Sequence, residues 1–171
     1  SQKLCGITWF NSNASKKDMF TGSSGSISRK VRAVTTAFWS RATLRMAIFS
    51  CLKSFPNGDF YKSQYGPTSE WDVSRVTSMG RMFANAYTFN GDISRWDVSS
   101  VTTLHGMFSE ATSFSGDISK WSLSRVTDTT FTFNDAILFN GDLSKWDVSR
   151  VIDMLAMFRG AAAVNGDISK W

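Results

Sequence analysis

Five tryptophans, Trp71, Trp96, Trp121, Trp146 and Trp171, follow one another at intervals of 25 residues with no insertion between them. A chain that returns the same large side chain at one fixed pitch builds an array of like units. Four units fit between the first and last Trp, each reading approximately WDVSxVTxMxxMFxxAxxFNGDISx. One such unit cannot bury its apolar side chains alone, so neighbours must stack and let equivalent extended segments pair. With strands about 4.8 Å apart, four coils make a stack only about 20 Å long.

Each column of the repeat has a local reading. Val73 and Val76, with Val98 and Val101, Leu123 and Val126, and Val148 and Val151, are aliphatic and closely spaced, which predicts one brief strand per unit. Ser78, Thr103, Asp128 and Asp153 are N-capping residue types placed before an apolar stretch. Met79, Met82, Phe83, Ala86 and Phe89 then recur at spacings of three and four, and the spacing predicts a short helix. The second unit repeats this with Leu104, Met107, Phe108, Ala111 and Phe114. Asn90-Gly91, Ser115-Gly116, Asn140-Gly141 and Asn165-Gly166 supply residues tolerant of positive φ and end it. The expected unit is strand, capped helix, tight turn and a second short extended piece.

The same periodicity argues against catalysis. Asp92, Asp117, Asp142 and Asp167 form one ladder, and Ser94, Ser119, Ser144 and Ser169 another. A carboxylate and a serine repeated four times at one pitch read as turn-stabilising hydrogen bonding. A calcium ladder is the functional alternative, although each turn offers one carboxylate and a few carbonyls, fewer than a dedicated calcium loop.

The run WDVSRVTSMGRMFANAYTFNGDISRW and its later copies resemble the 25-residue repeats of mycoplasma surface lipoproteins, which also occur in bacterial surface, algal and other protist proteins. They are similar to the BspA-like branch of the leucine-rich repeats. The lead-in Tyr65-Gly66-Pro67-Thr68-Ser69-Glu70-Trp71 resembles the entry to such arrays, so the likeness covers residues 65–171. The resemblance implies a right-handed α/β solenoid with one short strand and one short helix per coil. It also implies surface display or protein–protein contact, with no enzymatic activity and no cofactor. Departures are the Ser122-Leu123 pair, Thr129 and Thr132 in place of methionines, and Ala162, Ala163 and Val164 where the Phe column should continue. Smaller side chains there are expected to loosen packing or leave room for a partner. Trp171 falls on a repeat boundary with no polar capping unit behind it; the expectation is a longer natural chain or a protein covering this end.

Ahead of the repeats the composition changes. Residues 1–70 hold ten Lys and Arg against three acids, a net +7, whereas residues 71–171 carry nine against eleven, a net −2. No acid occurs from Met19 to Gly58, and both prolines, Pro56 and Pro67, lie in this part. The expected organisation is an extended basic Ser/Gly-rich arm over 1–34, a helical cap and degenerate first coil over 35–70, and four repeats over 71–171. Phe38, Arg41, Leu44, Ala47, Ile48, Cys51 and Leu52 recur at helical spacing, which predicts one amphipathic helix ending at Pro56-Asn57-Gly58. Asn57-Gly58-Asp59-Phe60 echoes the repeat turn. Arg41 and Arg45 interrupt the helix, so it is no membrane span, and a basic interfacial helix is the alternative to a cap.

Two cysteines exclude a disulfide-dense scaffold and a four-cysteine zinc site. Cys5 and Cys51 either pair or are two unrelated thiols. His105, with no Cys or His companion near in sequence, is expected to face solvent. Asn13-Ala14-Ser15 is a formal glycosylation sequon. The candidate partner-binding residues are Lys16, Lys17, Arg29, Lys30 and Arg32 in the arm, and Arg95, Lys120, Lys145, Lys170 and Trp171 in the repeats. Arg75, Arg125 and Arg150 form a second basic column; both columns are expected to pack over the indoles or bridge the Asp ladders. The expected function is a non-catalytic interaction scaffold, an accessory subunit whose protein partner has an acidic surface. The alternative is a cell-surface adhesion module. A net-negative repeat region without a recognition motif argues against nucleic acid.

Overall fold

A computed structural model describes residues 36–171, which form one unit. The arm residues Lys16, Lys17, Arg29, Lys30 and Arg32, together with Cys5 and the sequon at Asn13, lie outside the described residues. Each Trp-to-Trp interval is one coil, and each coil lies beside the next in parallel. One line of single-residue parallel bridges runs Ser78, Thr103, Asp128, Asp153. Beside it, the Thr102, Thr127 and Ile152 N–H groups donate to the Thr77, Thr102 and Thr127 carbonyls at 2.8–2.9 Å. The extended pairing thus falls just after Val73 and Val76, where a strand was expected. Those two valines instead close a turn, with Val76 N donating to Val73 O at 2.8 Å.

Where the spacing predicts a helix, from Met79 to Phe89, the chain makes successive turns. Met82 N donates to Met79 O, Ala86 N to Phe83 O and Phe89 N to Ala86 O, at 3.0–3.2 Å. Two positions in every coil are left-handed: Arg81, Gly106, Phe131 and Ala156 at one, and Asn85, Glu110, Asp135 and Gly160 at the other, with φ from 52° to 70°. A left-handed residue every few places breaks a right-handed helix. It also turns alternate N–H groups toward the neighbouring coil. The N–H groups of Met79, Arg81, Phe83 and Asn85 donate to the carbonyls of Thr103, His105, Met107 and Ser109 at 2.8–3.1 Å. A helix would use these donors inside its own coil and take four hydrogen bonds out of each contact between coils. The spacing of three and four survives because a row of turns, like a helix, brings those side chains to one side.

That side is a core of aromatic columns. Phe83, Phe108, Phe133 and Phe158 stack with ring centroids 5.6–5.7 Å apart and planes within 7°. Phe89, Phe114 and Phe139 form a second column, and ring centroids of the two columns lie 4.0 Å apart within each of the first three coils. Trp71, Trp96, Trp121 and Trp146 are buried at the other margin. From Trp96 onward, each indole N–H donates to a carbonyl 28 residues earlier, as Trp121 Nε1 does to Ile93 O at 3.3 Å. A buried indole needs such a partner. Thr129 and Thr132, in the methionine columns, are fully buried and satisfied: Thr132 Oγ1 donates toward Leu104 O and Thr129 O at 3.1 and 2.7 Å.

The glycine column answers to a different constraint from the one read in the sequence. Gly91, Gly116 and Gly141 do not have positive φ. Each lies under the ring of the Phe two residues earlier, where a Cβ would stand 2.9 Å from Cε2. Gly58 is left-handed at φ 90° and abuts the Gly91 backbone, where a Cβ would come within 2.6 Å of Gly91 N.

Before the first Trp, residues 36–38 pair with coil one: Phe38 N donates to Asp72 O and Asp72 N to Thr36 O. Helix α1, Arg41–Ser54, follows, with the Ser40 hydroxyl accepting from Thr43 N at its start. Phe38 therefore precedes α1 rather than opening it. Leu44, Ala47, Ile48 and Cys51 are its buried side. The Arg41 guanidinium donates to Gly80 O at 2.8 Å. Phe60 packs on Trp71 and Phe89, and Asn90 N donates to Asn57 O at 2.9 Å, so the Asn57-Gly58 turn stacks on Asn90-Gly91 as one coil does on the next. No helix among the described residues is long and apolar enough to cross a membrane.

Candidate functional site

The motif Asp-aliphatic-Ser-basic-apolar precedes the Trp in every coil, as Asp92-Ile93-Ser94-Arg95-Trp96, and follows it in coils one and four, as Asp72-Val73-Ser74-Arg75-Val76; coil two has Ser100 for the cation and coil three Ser122 for the Asp. Both are one turn. The Trp96 N–H donates to Ile93 O at 3.1 Å as Val76 N does to Val73 O, which buries the two apolar flanks and puts the cation at the corner. Arg95, Lys120, Lys145 and Lys170 are all exposed, as are Arg75, Arg125 and Arg150.

These cations do not bridge the Asp ladders. Among the described residues no Lys or Arg nitrogen lies within 4.0 Å of a carboxylate oxygen. Nor do they cover the indole column: Arg75 sits 4.4 Å over the ring of Trp39, outside it. The expectation of a salt-linked face is corrected here. The carboxylates are already engaged, because the aspartate Oδ1 accepts the N–H of the serine two residues on, at 2.9–3.1 Å in Asp72, Asp92, Asp97, Asp117, Asp142, Asp147 and Asp167. This is an Asx turn. The serine hydroxyl and then its N–H hold Asp72, Asp142 and Asp147 below the usual carboxylate range. For Asp117 and Asp167 the serine N–H is the larger cause and the hydroxyl the second. No three His, Cys, Asp or Glu side chains converge as a metal-binding group among the described residues.

His105 has companions that the linear sequence hides, one coil away. Its Nδ1 hydrogen-bonds the Thr130 hydroxyl and lies 4.0 Å from Asp128 Oδ2. Thr130 Oγ1 donates to Asp128 Oδ1 at 2.7 Å, so its proton is committed and Nδ1–H is the donor to it. A hydroxyl held this way is not primed as a nucleophile. Burial pushes the Asp128 carboxyl up; hydrogen bonds from Thr130 and Thr103, with His105 nearby, overcome this and leave it below its ordinary value. His105 is about a third exposed, not fully solvent-facing. The signal was the column: residues 25 apart are neighbours.

Trp171 continues the internal column. It is half-buried, stacks on Trp146 at 6.4 Å with planes 2° apart, and donates to Leu143 O at 3.3 Å. Cys51 is buried, which pushes its thiol pKa up. Sequence reasoning missed the exposed apolar side chains of α1, Met46 and Phe49, because Arg41, Arg45 and Lys53 share the same helix and mark it as solvated.

The geometry defines a class, a stacked 25-residue repeat protein with basic turn corners. Residues 49–171 match the family model described as Mycoplasma protein of unknown function, DUF285, and the chain belongs to that family. The match reaches further back than the resemblance at residues 65–171 and takes in the end of α1. No curated protein and no solved structure matches the chain.

Proposed function

We propose that this protein is a non-catalytic protein-interaction scaffold: a right-handed, leucine-rich-repeat-like solenoid that serves as an accessory subunit on a larger assembly. The observation that carries this reading is the column Arg95, Lys120, Lys145, Lys170, one exposed cation per coil, none ion-paired among the described residues. Cations repeated at a fixed pitch on turn corners suit a partner that presents acids along an edge. The partner is a protein with an acidic surface. Arg side chains supply forked donors and Lys side chains point charges, so the strip favours steering and register over burial.

The test is native mass spectrometry of the protein purified from source material, beside the Lys120→Glu/Lys145→Glu variant. A stoichiometric complex that the variant loses supports the reading. A secreted, glycosylated monomer overturns it in favour of a surface adhesion module.

A further inference from the structure

A groove of about 940 Å³ runs between α1 and the first coil. Its floor is apolar, with buried Ile48 and Met82, and its rim carries Met46 and Phe49, which are 71% and 63% exposed, and Tyr87. Arg45, Lys53 and Arg81 also line it, together with Arg41, and among the described residues no acidic side chain does. Met46 and Phe49 lie one turn apart on α1 and line the same groove, so they form one apolar patch rather than scattered single side chains. We infer that the groove is a docking site for an acidic amphipathic helix of a partner protein, with apolar side chains on its floor and carboxylates against Arg45, Lys53 and Arg81.

Three observations select that occupant. The first is charge: among the described residues four cations and no acid line the site, so an acidic segment is attracted. A second copy presenting α1, which carries Arg41, Arg45 and Lys53 and no acid, would be repelled. The second is shape. The groove follows a 14-residue helix, about 21 Å long at 1.5 Å per residue, which matches about four turns of a peptide laid along it. The third is chemistry. Met46 and Met82 adapt to varied apolar side chains. The Lys53 ammonium lies 4.8 Å over the Phe49 ring, which removes a stacking platform that a single-stranded base would need. The Tyr87 hydroxyl is turned toward Glu110 Oε2 at 3.3 Å, leaving its ring to the groove.

This site is separate from the basic column of the coils, and the experiment keeps the two apart. A labelled helical peptide about four turns long, with Leu at helical spacing on one face and Glu on the other, is titrated with the full chain by fluorescence anisotropy. Saturable binding is expected, weakening as salt is raised. Arg45→Glu/Lys53→Glu and Phe49→Ser should each weaken it by about tenfold or more. Lys120→Glu/Lys145→Glu, remote from α1, should leave it unchanged. Phe49 is largely exposed, so its loss should leave the circular dichroism spectrum unchanged. The inference is overturned if the peptide does not bind. It is equally overturned if a Lys-for-Glu peptide binds as well, if the groove variants bind normally, or if phosphatidylserine vesicles capture the chain and displace the peptide.

Discussion

Coil two, Trp96–Lys120, and coil four, Trp146–Lys170, share almost the same pattern of apolar residues and differ sharply in burial. Leu104 and Ile118 are fully buried, whereas Met154 and Ile168, their counterparts, are 37% and 45% exposed. Coil two lies between coils one and three; coil four has a described neighbour on one side. The N–H groups of Met154, Ala156, Phe158 and Gly160 find no backbone acceptor among the described residues, whereas those of Leu104, Gly106, Phe108 and Glu110 all do. Burial and hydrogen bonding in this molecule are therefore properties of the interface between coils, as nearest-neighbour energetics requires.

The largest expected effect probes the Phe column. Phe108→Ala, between Phe83 and Phe133, should cost about 3–5 kcal/mol in urea unfolding. Phe158→Ala, stacked on Phe133 and Trp171 and only partly buried, should cost about half of that or less. Equal losses would break the comparison. Next comes the glycine column. Gly116→Ala drives a Cβ to 2.9 Å from Phe114 Cε2 and should destabilise by about 1–3 kcal/mol. Gly166→Ala meets nothing nearer than Gly141 O at 3.6 Å, because Val164 replaces Phe in its coil, and should be close to neutral in thermal unfolding.

The smallest effect is acid lability. Asp72, Asp117, Asp128, Asp142, Asp147 and Asp167 are all held below the ordinary carboxylate range in the folded chain. A depressed folded pKa contributes stability that is present above the unfolded value, about 3.9, and is lost as pH falls through the folded value. Thermal midpoints should therefore hold steady down to about pH 5 and decline below about pH 4. Asp72→Asn/Asp128→Asn should flatten that decline; an unchanged slope would show that the turn carboxylates do not drive it.

Much was legible in the sequence because a repeat multiplies weak signals. One Trp or one Phe says little, but the same type at one pitch marks an inward column, and the end of α1 is announced by Pro56 just beyond it, whereas its start at Ser40 is not. The candidate site was legible only in part. Arg95, Lys120, Lys145 and Lys170 could be found as a column, yet their lack of carboxylate partners follows from the serine at each turn capturing the neighbouring aspartate first. His105, Asp128 and Thr130 could be joined only by counting one period forward.

The period, the inward columns and the Asp-Ser turns that flank the Trp are local matters, set by residue type and spacing, and the sequence suffices for them. The replacement of the expected helix by turns is not local. Arg81, Asn85, Glu110, Phe131 and Asp135 accept left-handed backbone at a cost of about 1–2 kcal/mol each, somewhat less for Asn and Asp, because doing so frees N–H groups for the next coil. That exchange exists only once coils are stacked, as do the ring that excludes a Cβ from Gly116 and the groove that α1 forms with coil one.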